Sequence, residues 1–253
     1  MSLISVKNLK LFYNDIYLLN KIDFELKKDN IHTLVGGSGS GKSSLVHLFL
    51  GFIPENFNLE YDKFEILGRD FFSLKEKDWL EFRRKKISFI PQSPSKAFHP
   101  YLTLYNQIKE ILKVKGFHYS KQKILEFLEE LGIREPKSRI NLLPKYLSGG
   151  EKQRVIIKLA TLTNPEIFIA DEPTTALDSI NEKDVLELIL KSVKNSMVFV
   201  SHDRRIIREI SDSVTVLKKG ELVEKITLLN QTYDKFHSEY TRNFFLTRSE
   251  SIV

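Results

Sequence analysis

The period of the apolar positions changes several times along this chain, and the changes mark out its elements. Residues 31–35, 86–90, 166–170 and 196–200 are short runs rich in β-branched and aromatic side chains, the pattern of strands buried on both faces. Between them the period lengthens. Residues 45–52 form an apolar stretch suited to a core-facing helix, and residues 100–147 are helical in pattern. Within that stretch Ile124, Leu128 and Leu131 fall at i, i+4 and i+7, with Lys and Glu on the other faces. Residues 151–163 and 182–193 continue the helical signal, the first of these ended by Asn164-Pro165. Strands alternating with helices in this way predict a parallel sheet with crossover helices. Residues 214–218 and 221–226, joined around Gly220, predict a hairpin, and residues 4–11 and 21–26 predict two further strands around Tyr13-Asn14-Asp15.

Size and composition narrow this picture. The 253 residues suit one large α/β domain, with or without a subdomain, and 42% hydrophobic residues suffice for a buried core. The longest apolar run, residues 48–54, is far short of the roughly 20 residues that span a bilayer. The first fifteen residues lack the basic start and apolar centre of a signal peptide, so a soluble, intracellular chain is expected. With no cysteine, disulfides, thiol catalysis and cysteine-held zinc or iron–sulfur centres are excluded. A net charge of +6 is compatible with nucleic acid, an anionic membrane surface or an anionic ligand, and does not choose among them. The densest basic run, Arg83-Arg84-Lys85-Lys86, reads as a solvated helix end or, alternatively, as a membrane or partner contact.

Candidate chemistry begins directly after the strand at 31–35. Gly36-Gly37-Ser38-Gly39-Ser40-Gly41-Lys42-Ser43-Ser44 places a glycine-rich loop with Lys-Ser in register between a strand and a helix, the context of a phosphate-binding loop. Glycines let backbone N–H groups turn inward around phosphates, and the following helix presents its positive end. Lys42 would reach the β/γ oxygens of a triphosphate and Ser43 would coordinate Mg²⁺. The strand at 166–170 ends in Asp171-Glu172. Alone, such acids are as readily helix caps. Beside a P-loop, Asp171 would hold Mg²⁺, often through water, and Glu172 would polarise or deprotonate the attacking water. Ser148-Gly149-Gly150-Glu151 opens another helix, either as an ordinary cap or as a second anion site. With one P-loop and two anion-type helix starts over a hundred residues apart, the economical reading is that the second serves a nucleotide bound to another chain.

The order of these motifs resembles the nucleotide-binding subunit of ATP-binding cassette (ABC) transporters. Gln92 follows a strand; Leu147-Ser148-Gly149-Gly150, Asp171-Glu172, Ala176-Leu177-Asp178 and Ser201-His202-Asp203 come after it in family order, over about residues 3 to 243. The resemblance implies a P-loop NTPase core with an N-terminal antiparallel β-subdomain and a helical signature subdomain. The chain would thus be a single nucleotide-binding domain over 1–253, with a helical insertion at about 100–147 and a tail at 227–253. It also implies that Tyr13 stacks on adenine and that Gln92 senses Mg²⁺ and water beside a groove where a membrane partner docks. Ser148, Gly149 and Gly150 would touch the γ-phosphate held by the opposite subunit, Asp178 would bridge the two sites, and His202 would hold the γ-phosphate and the catalytic water. His32, His47, His99, His118 and His237 show no metal-ligand spacing.

Within the family, Gln92-Ser93-Pro94 to His99-Pro100, Gly132-Ile133-Arg134-Glu135-Pro136 and Glu239-Tyr240-Thr241-Arg242 are similar to the first (D-type) ATPase of peptide and nickel importers. Pro91 stands where an aromatic is usual, and Glu151 where Gln or Met is usual. A cysteine-rich extension found in peptide-importer members is missing, which points to the shorter nickel or metallophore type. The resemblance therefore implies an ATP- and Mg²⁺-dependent subunit, peripheral on the cytoplasmic face of the membrane. Its partners would be a second ATPase, homologous or identical, two permease subunits and, indirectly, an extracytoplasmic solute-binding protein, with no nucleic acid. Rival readings are the ATPase of an exporter or lipid-release system, which would share every catalytic residue, and a soluble non-transport ABC ATPase. The coiled coils, zinc cysteines or second cassette typical of that last class are absent from the sequence.

Overall fold

A computed structural model of the chain describes residues 1–175, 179–227 and 236–246. Its centre is a parallel set of strands: β3 (Ile31–Val35), β7 (Ile87–Ile90), β8 (Ile167–Asp171), β9 (Ser196–Val200) and β10 (Ser213–Lys218), in the order β7-β8-β9-β3-β10. Every residue of β8 and β9 is buried, which is why both read as unbroken apolar runs. Register is continuous across the set, with Ile169 opposite Val198 and Leu34 opposite Val200. Parallel pairing sends all C-terminal strand ends to one edge, and that edge carries the site.

The same sheet continues through β11 (Glu221–Thr227) into an antiparallel layer, in which β1 (Ser2–Tyr13) and β2 (Ile16–Lys27) form a long hairpin. Asn14, in left-handed backbone (φ 50°), makes the turn. Both strands run further than their sequence pattern predicts. Register shifts between Val6 and Leu9 and between Leu9 and Leu11 break the alternation that marks a strand. Three short strands, β4 (Asn58–Glu60), β5 (Lys63–Ile66) and β6 (Arg69–Asp70), complete this layer, and none is legible in the sequence because none is long enough to show a period.

Helices cover the sheet. α1 (Lys42–Phe49) lies in the core between the two layers, burying Leu45, Val46, Leu48 and Phe49 against Phe24, Phe64 and Trp79. α2 (Glu76–Glu81) passes into a wide π turn (Phe82–Lys86) that contains the basic run, and the run is anchored, not merely solvated. Arg83 bonds the Leu50 carbonyl and Glu76, Arg84 bonds the Val114 carbonyl, and Lys86 pairs with Glu166. α3 (Leu104–Val114), α4 (Lys121–Glu130) and α5 (Pro136–Arg139) then form a helical group. Ile124, Leu128 and Leu131 face its interior, packed with Ile108, Leu112 and residues of α6 (Gly149–Thr161). α7 (Ser179–Ser192) and α8 (Arg204–Ile210) return the chain to β9 and β10. Last, α9 (Glu239–Leu246) lays Phe244 and Phe245 into a separate apolar cluster with Val35, Ile207, Val214 and Val216.

Candidate active site

The loop between β3 and α1 is built on positions where a side chain does not fit. A Cβ on Gly36 would meet the Leu217 carbonyl oxygen at 2.2 Å, and one on Gly41 (φ 96°) would meet Leu19 at 2.6 Å. The closed loop turns Lys42 back on itself. Its Nζ donates to the carbonyls of Gly36 (2.8 Å) and Gly37 (2.9 Å), with the Ser40 hydroxyl at 3.3 Å. Burial lowers the Lys42 pKa, while the Glu172 and Asp171 carboxylates pull the other way. Gly41 is the N-cap of α1 with no side chain capping the first turn, so those N–H groups face the loop mouth together with Ser43 and Ser44.

Three strand ends complete the cleft. Asp171, the last residue of β8, accepts from the Ser43 hydroxyl at 3.3 Å. Burial raises its pKa, reinforced by the neighbouring Glu172 and opposed by Ser43 and Lys42. Glu172 takes left-handed backbone (φ 44°), which costs a non-glycine residue about 1–3 kcal/mol, and its N–H donates to the Val200 carbonyl (3.0 Å). That turn aims its carboxylate at two groups from other strands. Gln92, after β7, donates Nε2 to Glu172 Oε2 at 2.9 Å, and His202 Nδ1, after β9, stands 3.6 Å from Oε1. Thr175 also donates to Oε2 (3.2 Å). The cleft these residues enclose measures about 790 Å³ and is lined by Gly36, Gly37, Ser38, Gly39, Lys42, Ser43, Gln92, Asp171, Glu172 and His202.

The remaining candidates lie apart from this cleft. Ser148 and Glu151 form a reciprocal cap at the start of α6: Glu151 N donates to Ser148 Oγ (3.1 Å), and Ser148 N donates to Glu151 Oε2 (2.7 Å). Arg139 stands 3.6 Å from that carboxylate. Ser148 and Gly149 are exposed, Gly150 is buried, and none of the three lines the cleft. Farther along α6, Gln153 donates to the Pro173 carbonyl (2.9 Å), tying this helix to the segment after Glu172. Tyr13 is exposed at the hairpin turn, its ring 5.8 Å from that of Phe57. Asp178 lies outside the described residues.

Sequence reasoning missed what closes the cleft on the side of α9. Phe244 lines it, and the Tyr240 hydroxyl accepts a hydrogen bond from Gly37 N at 3.2 Å. The two partners are 203 positions apart, and nothing local in the sequence announces the pairing.

A family profile described as ABC transporter matches residues 19–175, which include the P-loop, Gln92, the signature turn and both carboxylates. The chain belongs to the ABC transporter family. It is similar to the metal-staphylopine import system ATP-binding protein CntD of Staphylococcus aureus, 34% identical over 99% of this chain and 94% of that protein. It is similar to the oligopeptide transport ATP-binding protein OppD of Bacillus subtilis, 35% identical over 93% of this chain and 69% of that one. Among solved structures it resembles the ATP-binding subunit of an ABC transporter (TM-score 0.71, 25% identity, 89% and 90% of the two chains). A dimeric ATP-binding cassette in a post-hydrolysis state with ADP and Pi is also similar (TM-score 0.70, 26% identity, 90% and 99%). The ABC ATPase fold expected from the sequence is therefore the fold found, and the chain is an ATP-hydrolysing cassette.

Proposed function

We propose that this cassette energises an importer for nickel or another metal chelate, or for di- or oligopeptides, by closing around ATP with a second ATPase subunit. One observation carries the reading: a P-loop lysine, a Ser–Asp pair and a Gln–Glu–His cluster reach one cleft from four separate strand ends. The import relatives of metal-staphylopine and oligopeptide systems support the direction and the cargo class.

Gly36 to Ser44 would bind the phosphates through N–H groups and the start of α1, and Tyr13 would cover the adenine. The Ser43 hydroxyl and the Asp171 carboxylate are hard oxygen donors that fit Mg²⁺, and Gln92, which lines the same cleft, would supply an amide oxygen. When bound, that ion would offset the charge on the β- and γ-phosphates. Glu172, held by Gln92 and Thr175, would accept the proton of a water attacking in line, and His202 would hold the water and the γ-phosphate. Ser148, Gly149 and Gly150 would contact the γ-phosphate on the opposite subunit, with Asp178 bridging the two sites. Hydrolysis would remove the shared contacts and reopen the pair.

No helix among the described residues is long and apolar enough to cross a membrane. In this reading closure would be passed to separate permease chains. An apolar groove of about 480 Å³, lined by Leu50, Phe52, Arg83, Phe89, Pro91 and Phe98, lies between the P-loop layer and the helical group and would receive a permease segment. The cassette would act as one unit over 1–253, with the helical insertion at about 100–147 leading into the signature and 227–253 as its tail. It would sit peripherally on the cytoplasmic face, with a solute-binding protein acting through the permeases.

Affinity capture from gently solubilised membranes of the native cell tests this reading. Two permeases and a second ATPase are the expected companions. Recovery from the soluble fraction alone, with nucleic acid or ribosomes attached, would overturn the importer while leaving the ATPase chemistry in place.

A further inference from the structure

We propose that Tyr240 is a positioning residue for ATP: its hydroxyl fixes the Gly36–Gly37 peptide whose carbonyl orients the P-loop lysine. The inference rests on the ATP-binding reading of the cleft. One peptide group is held at both ends. Its N–H, on Gly37, donates to the Tyr240 hydroxyl (3.2 Å), and its C=O, on Gly36, accepts from Lys42 Nζ (2.8 Å). Two consecutive glycines have no side chains to limit their dihedrals, and Gly36 sits at φ 154°, so this peptide needs a hold from outside the loop.

The hold comes from a well-fastened element. Glu224 of β11 accepts from the N–H groups of His237 (2.8 Å) and Ser238 (3.2 Å) just before α9. Phe244 and Phe245 are buried beside Val35, the residue that precedes the P-loop. Lys218 Nζ lies 4.7 Å from the centre of the Tyr240 ring. A hydrogen bond through a peptide group also polarises its far end, so donation at Gly37 strengthens the Gly36 carbonyl as an acceptor.

The consequence for ATP follows from the donor count of an ammonium. Lys42 has three N–H bonds. The two short contacts, to Gly36 and Gly37, aim the group, and the third, on Ser40 at 3.3 Å, is the weakest and is the one a phosphate oxygen would take over. A loop held this way loses less conformational freedom on binding than a free glycine pair, so losing the tether weakens ATP.

The test is Tyr240→Phe in the full chain, which keeps the ring and removes the hydroxyl. The first readout is hydrogen exchange in the nucleotide-free protein, and it stands whether or not the ATP reading holds. Exchange at residues 36–42 should accelerate while β3 and β10 stay at the parental rate. The second is a titration with a fluorescent ATP analogue, whose Kd should rise about three- to tenfold, the worth of one net hydrogen bond. Unchanged exchange in the loop, or an unchanged or tighter Kd, overturns the proposal. Exchange faster throughout β10 as well as the loop would make Tyr240 a packing residue and equally overturn it. If the parental chain itself fails to bind the analogue, the ATP reading falls, and the loop exchange still decides the tether.

Discussion

Two helices in this cassette start at glycine-rich turns, and they meet an incoming phosphate in opposite conditions. α1 begins after Gly41 with no side-chain cap and no acid in its first turn, and it opens with a lysine. α6 begins with Ser148 and Glu151 capping each other, and Glu151 places a carboxylate against the positive end of the helix. The first start leaves its N–H groups for a ligand and gathers a buried lysine and a buried carboxylate around them, arrangements that cost stability. The second satisfies itself and adds to stability. A capped start with its own anion attracts a free phosphate weakly, which fits a site that engages only phosphate already held by another chain. Under the proposed function, the role of α1 is thus set against folding, while at α6 the two would coexist.

The largest effect that tests this contrast lies on the α1 side. Glu172→Gln removes the proposed proton acceptor and leaves the Gln92 and Thr175 contacts sterically possible, so ATP binding should persist while hydrolysis falls about 10²–10³-fold. With turnover blocked, ATP should drive the chain into a dimer measurable by light scattering. A variant hydrolysing at the parental rate would remove Glu172 from the chemistry.

Asp171→Asn should separate function from stability by sign. The folded-state pKa of Asp171 lies above its ordinary carboxylate value because burial, then Glu172, disfavour the charge more than Ser43 and Lys42 favour it. A folded state that holds the proton more tightly is favoured at low pH, and that advantage is lost as pH rises through the folded pKa. At neutral pH the ionised group is therefore a burden on the fold. The Asn variant should melt above the parent at pH 7, with the gap closing as pH falls toward 3.8, while Mg²⁺-supported hydrolysis drops about 10–100-fold. A lower melting temperature at pH 7 would mean that the α1 side is not set against stability.

The difference between the two starts was partly legible beforehand. Strand, loop and Lys-Ser register in 31–44 sit side by side in the chain, and Asp171-Glu172 closes an unbroken apolar strand, so the cleft could be assembled from local pattern. Ser148 with Glu151 three positions on is also a local signal, which the sequence left open between a cap and an anion site, and the structure shows the reciprocal cap. Non-local features did not show. Glu172's left-handed turn depends on the Val200 carbonyl of the neighbouring strand, and Tyr240 reaches Gly37 only because α9 packs on Val35. The short strands β4 to β6 were too short to declare a period, and the anchors of Arg83 and Arg84 are backbone carbonyls that no residue code marks.

On the α6 side the expected effects are smaller and run the other way. Ser148→Ala removes the acceptor for the Glu151 N–H and should lower stability by about 1 kcal/mol, or roughly 2–4 °C in melting temperature. ATP binding to the P-loop of the same chain should not change, because Ser148 does not line that cleft. A loss of same-chain ATP affinity, seen in a dilute titration where pairing is negligible, would break the separation between the two starts.

Glu151→Gln makes the finest cut. Glutamine can still accept from the Ser148 N–H, so the reciprocal cap can survive while the charge goes. The helix end loses a favourable dipole contact worth about 0.3–1 kcal/mol, and Arg139 loses a carboxylate 3.6 Å away, so a small fall in melting temperature is expected. The same change removes a negative group from the turn that would face a γ-phosphate. Repulsion across the dimer should ease, and ATP-dependent pairing measured in the Glu172→Gln background should tighten by a small factor. If pairing weakens instead, the carboxylate's hold on Arg139 and on the turn matters more than its charge, and α6 would be a start whose anion serves the contact it was thought to oppose.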